Sequence, residues 1–183
     1  MTDMALRTEP GGQQGASIAG EEGFVAGLAG KYMTFKLANE EYGVQILNVR
    51  EIIGWMDITR MPRTANFIRG VINLRGKVIP VIDLRLKFDM DEAEATDQTV
   101  IIVVQLKAHN ESLTMGVIVD EVLEVLDISA GQIEPPPVFG NDTQETDFIL
   151  GVGKAEKRVI FLLDIDKVLS CEDTQIIDSC SKQ

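Results

Sequence analysis

The side chains able to do acid–base or nucleophilic chemistry are few and scattered. His109, the single histidine, sits in a polar turn from Lys107 to Ser112 and reads as an ordinary loop residue rather than a general base. Asp83 and Asp164 occupy equivalent strand ends, where two carboxylates could share acid and base roles. Their presence in both places favours capping of the turn that follows each strand instead. The stretch Gly70 to Lys77 superficially suggests a phosphate loop. It has one residue too many between its glycines, and Val78 stands where magnesium needs Ser or Thr. Asp89-Met90-Asp91-Glu92 lacks the glycine of a calcium loop. Cys171 and Cys180 have none of the Cys/His company of a metal site. The residues therefore point to no catalytic set, no cofactor site and no metal site, and to a protein that is not an enzyme.

Binding chemistry is more visible. Asn73-Leu74-Arg75-Gly76-Lys77 places an arginine at a hairpin tip, with Gly76 suited to the positive φ of a three-residue turn ending in a bulge. A guanidinium there offers a rigid donor fork to a carboxylate or a backbone carbonyl on another chain. Glu51 interrupts the apolar run Val44, Ile46, Val49 and Ile52, and would pair with Arg75 if the two elements adjoin. By chemistry alone both read as solvated surface charges, worth about 0 to 1 kcal/mol in a local ion pair.

Composition narrows the partners. With a net charge of -12, the chain would repel nucleic-acid backbones and anionic lipid heads, and no basic cluster offsets this locally. The longest purely apolar run, Val100 to Val104, falls far short of the ~20 residues of a membrane span. No signal-peptide pattern opens the chain, so the Asn110 and Asn141 sequons are chance matches and the expected location is cytoplasmic.

The elements that would carry these residues are short strands: Tyr32 to Leu37, Tyr42 to Leu47, Phe67 to Ile72, Lys77 to Leu84, Thr99 to Leu106, Leu113 to Val119, Phe148 to Val152 and Arg158 to Leu163. The chain also repeats itself. Phe67-Ile68-Arg69-Gly70-Val71 recurs as Phe148-Ile149-Leu150-Gly151-Val152, and Val78 to Leu84 recurs at the same spacing as Val159 to Ile165. Tyr42 to Ile52 aligns similarly with Met115 to Val125. Each copy is marginal for independent stability, and Val100 to Val104 needs cover on both faces. The fold expected is mainly β: two five-stranded barrels in tandem, sharing a hydrophobic interface, with helix confined to short pieces. Residues 1–30, rich in glycine, are expected to form a flexible leader. The folded body spans 31–170, in intertwined halves of about 31–98 and 99–170, and 171–183 form a tail. In the second copy Glu156 replaces Arg75.

Over Lys31 to Cys171 the chain resembles the chemotaxis coupling protein (CheW) family. The motifs are Glu41-Tyr42-Gly43-Val44 with Val49-x-Glu51-Ile52, then Phe67-Ile68-Arg69-Gly70-Val71-x-Asn73-Leu74-Arg75-Gly76, then Pro80 to Arg85. Gly116-Val117-x-Val119-Asp120-x-Val122 looks like the second-half counterpart. The resemblance implies SH3-like barrels and an adaptor that bridges the cytoplasmic hairpin tip of chemoreceptors and the C-terminal regulatory domain of the histidine kinase CheA, recruited to membrane-bound receptor arrays without inserting into the membrane. It places Glu51 and Arg75 at coupling positions, set among Val49, Ile52, Gly70, Asn73 and Leu74, and so reverses the reading of Arg75 as mere surface. The alternatives are a paralogous scaffold serving another motility output and a small-ligand-binding β-barrel.

Overall fold

The computed structural model describes residues 15–108, 111–137, 146–169 and 173. His109, Cys171 and Cys180 lie outside them. The chain forms α1 (Gly15–Leu28), β1 (Gly30–Leu37), β2 (Glu40–Gln45), β3 (Val49–Gly54), β4 (Ile68–Leu74), β5 (Lys77–Asp83) and α2 (Leu84–Lys87). It continues with β6 (Val100–Ala108), β7 (Glu111–Val119), β8 (Glu121–Ile128), β9 (Ile133–Glu134), β10 (Ile149–Ala155), β11 (Arg158–Leu163) and α3 (Ile165–Val168).

Two mixed sheets result, in the orders β8-β1-β2-β11-β10-β9 and β3-β6-β7-β5-β4. The sequence repeat makes β3, β4 and β5 the counterparts of β8, β10 and β11, and β1 and β2 those of β6 and β7. The two orders are then one order with the copies exchanged. Each sheet takes its first hairpin from one half of the chain and its remaining main strands from the other, joined by parallel seams between β5 and β7 and between β2 and β11. The halves are intertwined strand by strand. Irregularities repeat as well. Register shifts fall at Ile68/Gly70 and Ile149/Gly151, and again at Met33/Phe35 and Val49/Glu51.

Alternation of side chains across each strand sends residues to two different cores. Ile101 packs with Ile72, Ile79, Val81 and Ile118 inside the five-stranded sheet. Its neighbour Ile102 joins Phe35, Leu37, Met115 and Leu163 in the large cluster between the sheets. A third cluster, around Tyr32, Ile160 and Leu162, fills the six-stranded sheet. This two-sided burial is why Val100 to Val104 is continuously apolar. Two polar contacts also cross the junction: Asp120 accepts from the Ala38 amide at 2.7 Å and from Arg85 Nε at 2.7 Å.

The two repeated aspartates are caps. Asp83 accepts from the Arg85 amide at 2.9 Å and Asp164 from the Asp166 amide at 3.1 Å. Burial pushes the Asp83 carboxyl above its ordinary value, opposed by the Arg69 guanidinium and by the amides of Leu86 and Arg85.

The expected flexible leader is corrected over 15–28, where the chain is helical. Glu22 and Ala26 supply helix propensity against the glycines. The end of α1 is anchored, with Leu28 buried and its carbonyl accepting from the Tyr32 hydroxyl at 2.6 Å. Strands β3, β8 and β9 are additional to those expected.

Candidate functional site

The β4–β5 connection is tighter than the expected three-residue turn. Leu74 pairs directly with Lys77, leaving only Arg75 and Gly76 in the loop, at φ 52° and 84°. Two consecutive positive φ values define a type I′ turn, whose twist suits adjoining antiparallel strands. Asn73 stabilises it, its Oδ1 accepting from the Gly76 amide at 2.9 Å.

That turn aims Arg75 at β3. Its two terminal nitrogens donate to the two carboxylate oxygens of Glu51, at 3.0 and 2.8 Å. The Arg75 side chain is still 76% exposed, against 27% for Glu51. The fork is thus oriented by one carboxylate while most of its surface faces outward, a geometry that pre-positions it for a partner at little entropic cost.

Beside the pair lies a groove of about 660 Å³, with Leu74, Val78, Ile79 and Val103 in its walls and Arg50, Arg75 and Lys77 among its charges. Three cations against Glu51 make it a locally basic surface on an acidic chain. Val78 is 49% exposed.

Not all the expected residues share this face. Val49 and Ile52 pair with Val104 and Ile102, whose side chains belong to the core between the sheets. By alternation they lie on the opposite side of β3 from Glu51. Val49 packs against that core. Ile52 is half exposed, and Leu47, just before β3, is strongly exposed. Gly70 serves the fold: at φ 140° it lies under residues 59–60, and a Cβ there would come within 2.0 Å of the Thr59 carbonyl oxygen. The sequence reading did not single out Leu47, Arg50, Lys77 or Val78 as site residues. Leu47 was expected at the end of the second strand, whereas it lies in a short 3-10 turn, Ile46–Asn48, and no sequence signal marked its exposure.

Comparison with known proteins settles the family. A model of the CheW-like domain matches residues 31–173, which include every strand of both sheets except the first residue of β1.

The chain belongs to the CheW family.

A chemotaxis protein CheW from Klebsiella aerogenes is 40% identical over 163 residues, covering 86% of this chain and 95% of that protein. One from Rhizobium meliloti is 38% identical, covering 78% and 89%. The solved scaffolding protein TtCheW from Thermoanaerobacter tengcongensis superposes with a TM-score of 0.68 at 36% identity, covering 80% of this chain and 97% of its own. The two sheets are accordingly the tandem SH3-like barrels of a CheW protein, and the chain is a chemotaxis scaffold. No helix among the described residues is long and apolar enough to cross a membrane.

Proposed function

We propose that this CheW-family scaffold joins chemoreceptors to the histidine kinase CheA without performing chemistry of its own. The exposed apolar side chains of Leu47 and Ile52 receive the helical hairpin tip of a receptor. The groove beside Glu51 and Arg75 packs against the C-terminal regulatory domain of CheA. The scaffold is thereby held at receptor arrays, where several modest contacts act together.

The carrying observation is the outward-facing guanidinium of Arg75, held by both oxygens of Glu51 at the mouth of a groove. A fork fixed by an internal acid, yet exposed, suits docking better than it suits stability.

Reconstitution of receptor fragment, CheA and the full chain, read by kinase autophosphorylation, tests this. Wild type raises receptor-controlled phosphorylation and Arg75→Glu lowers it while the fold is kept. Undiminished control with Arg75→Glu would refute the role given to Arg75.

A further inference from the structure

Because the two barrels repeat one arrangement, their grooves can be compared position by position. At the mouth of the five-stranded barrel stand Glu51, Arg75 and Lys77. Their counterparts on the six-stranded barrel are Glu124, Glu156 and Arg158. The chemistry there differs in one decisive respect.

Arg158, at the start of β11, donates to Glu124 Oε1 at 2.6 Å and to Glu41 Oε2 at 3.4 Å. Glu41 belongs to β2 and Glu124 to β8, with β1 between them in the sheet. The guanidinium therefore reaches across two strands, over the place that corresponds to the open groove. The hydrogen bond to Glu124 favours its charged form, opposed by burial and assisted by the nearby charges of Glu41, Glu124 and Glu156. On β1, Thr34 takes the place that Val103 has on β6. Fully buried, it donates to the Glu124 carbonyl at 2.7 Å and accepts from the Glu124 amide at 3.3 Å, tying β8 to β1. Valine can make neither bond.

The exposed apolar flank is nonetheless retained. Val159 is 53% exposed, as its counterpart Val78 is in the other barrel at 49%. The second copy keeps the surroundings of a docking groove and bridges its mouth.

We propose that Arg158 is a latch: by joining Glu124 to Glu41 it keeps the duplicate groove shut, so that each chain offers one docking groove of this kind and the kinase domain engages the two barrels unequally. Arg158 is thus a specificity-determining residue acting by exclusion. The inference rests on the reading of the open groove as a docking surface for the CheA regulatory domain.

Titration of the CheA regulatory domain into the full chain, with stoichiometry from calorimetry, tests it. Wild type binds one domain per chain. Glu156→Arg with Arg158→Lys, which installs the residue types of the open mouth, binds two, and retains one when Arg75→Glu is added. A stoichiometry fixed at one in the folded double variant overturns the proposal.

A second arm needs no partner. In the free chain, amides around Thr34 and Glu124 exchange hydrogen about tenfold faster in Arg158→Lys than in wild type, while β3 and β6 are unchanged, because only the latched seam opens locally. Unaltered exchange overturns the latch whatever the partner does. Failure of wild type to bind the kinase domain at all refutes the docking reading, and leaves the exchange result to decide the latch.

Discussion

Glu51 and Arg75 are 24 residues apart and belong to opposite ends of a five-strand order, yet they meet through two hydrogen bonds. The pair spans the mouth of the barrel where no backbone ladder joins β3 to the turn. Its energetic share in folding is small, because an ion pair this exposed contributes about 0 to 1 kcal/mol.

Charge exchange separates pairing from docking. Glu51→Arg with Arg75→Glu rebuilds the contact with its ends reversed, so thermal melting returns to within a few degrees of wild type. Receptor-controlled phosphorylation does not return, since the turn then presents an acid. Recovery of full control in the double variant would show that the contact itself, rather than the guanidinium, is what partners require.

Gly70→Ala is the most disruptive small change in this region. The added methyl would meet the Thr59 carbonyl oxygen at 2.0 Å, in a backbone conformation with φ of 140° that L residues rarely adopt. Urea denaturation should show a loss of about 3 kcal/mol or more, in the range reserved for backbone strain and overpacking. A loss under 1 kcal/mol would mean that residues 59–60 shift readily away from β4.

Ile102→Ala removes a side chain 1% exposed, set in the cluster between the sheets. The expected cost is about 2 to 5 kcal/mol. Because that cluster belongs to both barrels, calorimetry should still show one cooperative transition at a lower temperature. Two resolved transitions would mean that the barrels melt separately.

Both tyrosines of the chain, Tyr32 and Tyr42, are buried, and burial raises both phenols above their ordinary value, with Glu40 adding to the effect at Tyr42. As pH rises past about 10, the unfolded chain releases these protons while the folded one still holds them, so stability falls from there upward. Tyrosinate absorbance should therefore grow together with loss of the far-ultraviolet circular dichroism signal. Ionisation in a chain still fully folded near pH 10 would contradict this burial.

The duplication was legible in the sequence because Phe-Ile-x-Gly-Val and the strand after it keep their types and spacing in both copies. So was the shared interface, since Val100 to Val104 has no polar face. The exchange of strands was not: the seams β5·β7 and β2·β11 join residues far apart, and no local pattern records them. Strand β3 was hidden because its burial runs against residue type, with Glu51 partly buried and Ile52 exposed. Strand β8 was hidden because Val122, Leu123, Val125 and Leu126 do not alternate with a period of two. At the site, the motif gave Glu51 and Arg75, but the sidedness that sets Val49 and Ile52 apart from them needed the register with β6.

The exchange of hairpins between sheets has a consequence during synthesis. While the ribosome has delivered only the first half, β1 and β2 lack β8 and β11, and β5 lacks β7, so neither barrel can close on a nascent chain. Long-range parallel pairing of this kind is slow, and leaves strand edges open to mispairing until it is complete. Among the described residues the last strand, β11, completes a sheet begun by the first, so neither barrel can close until strands from both halves of the repeat have emerged.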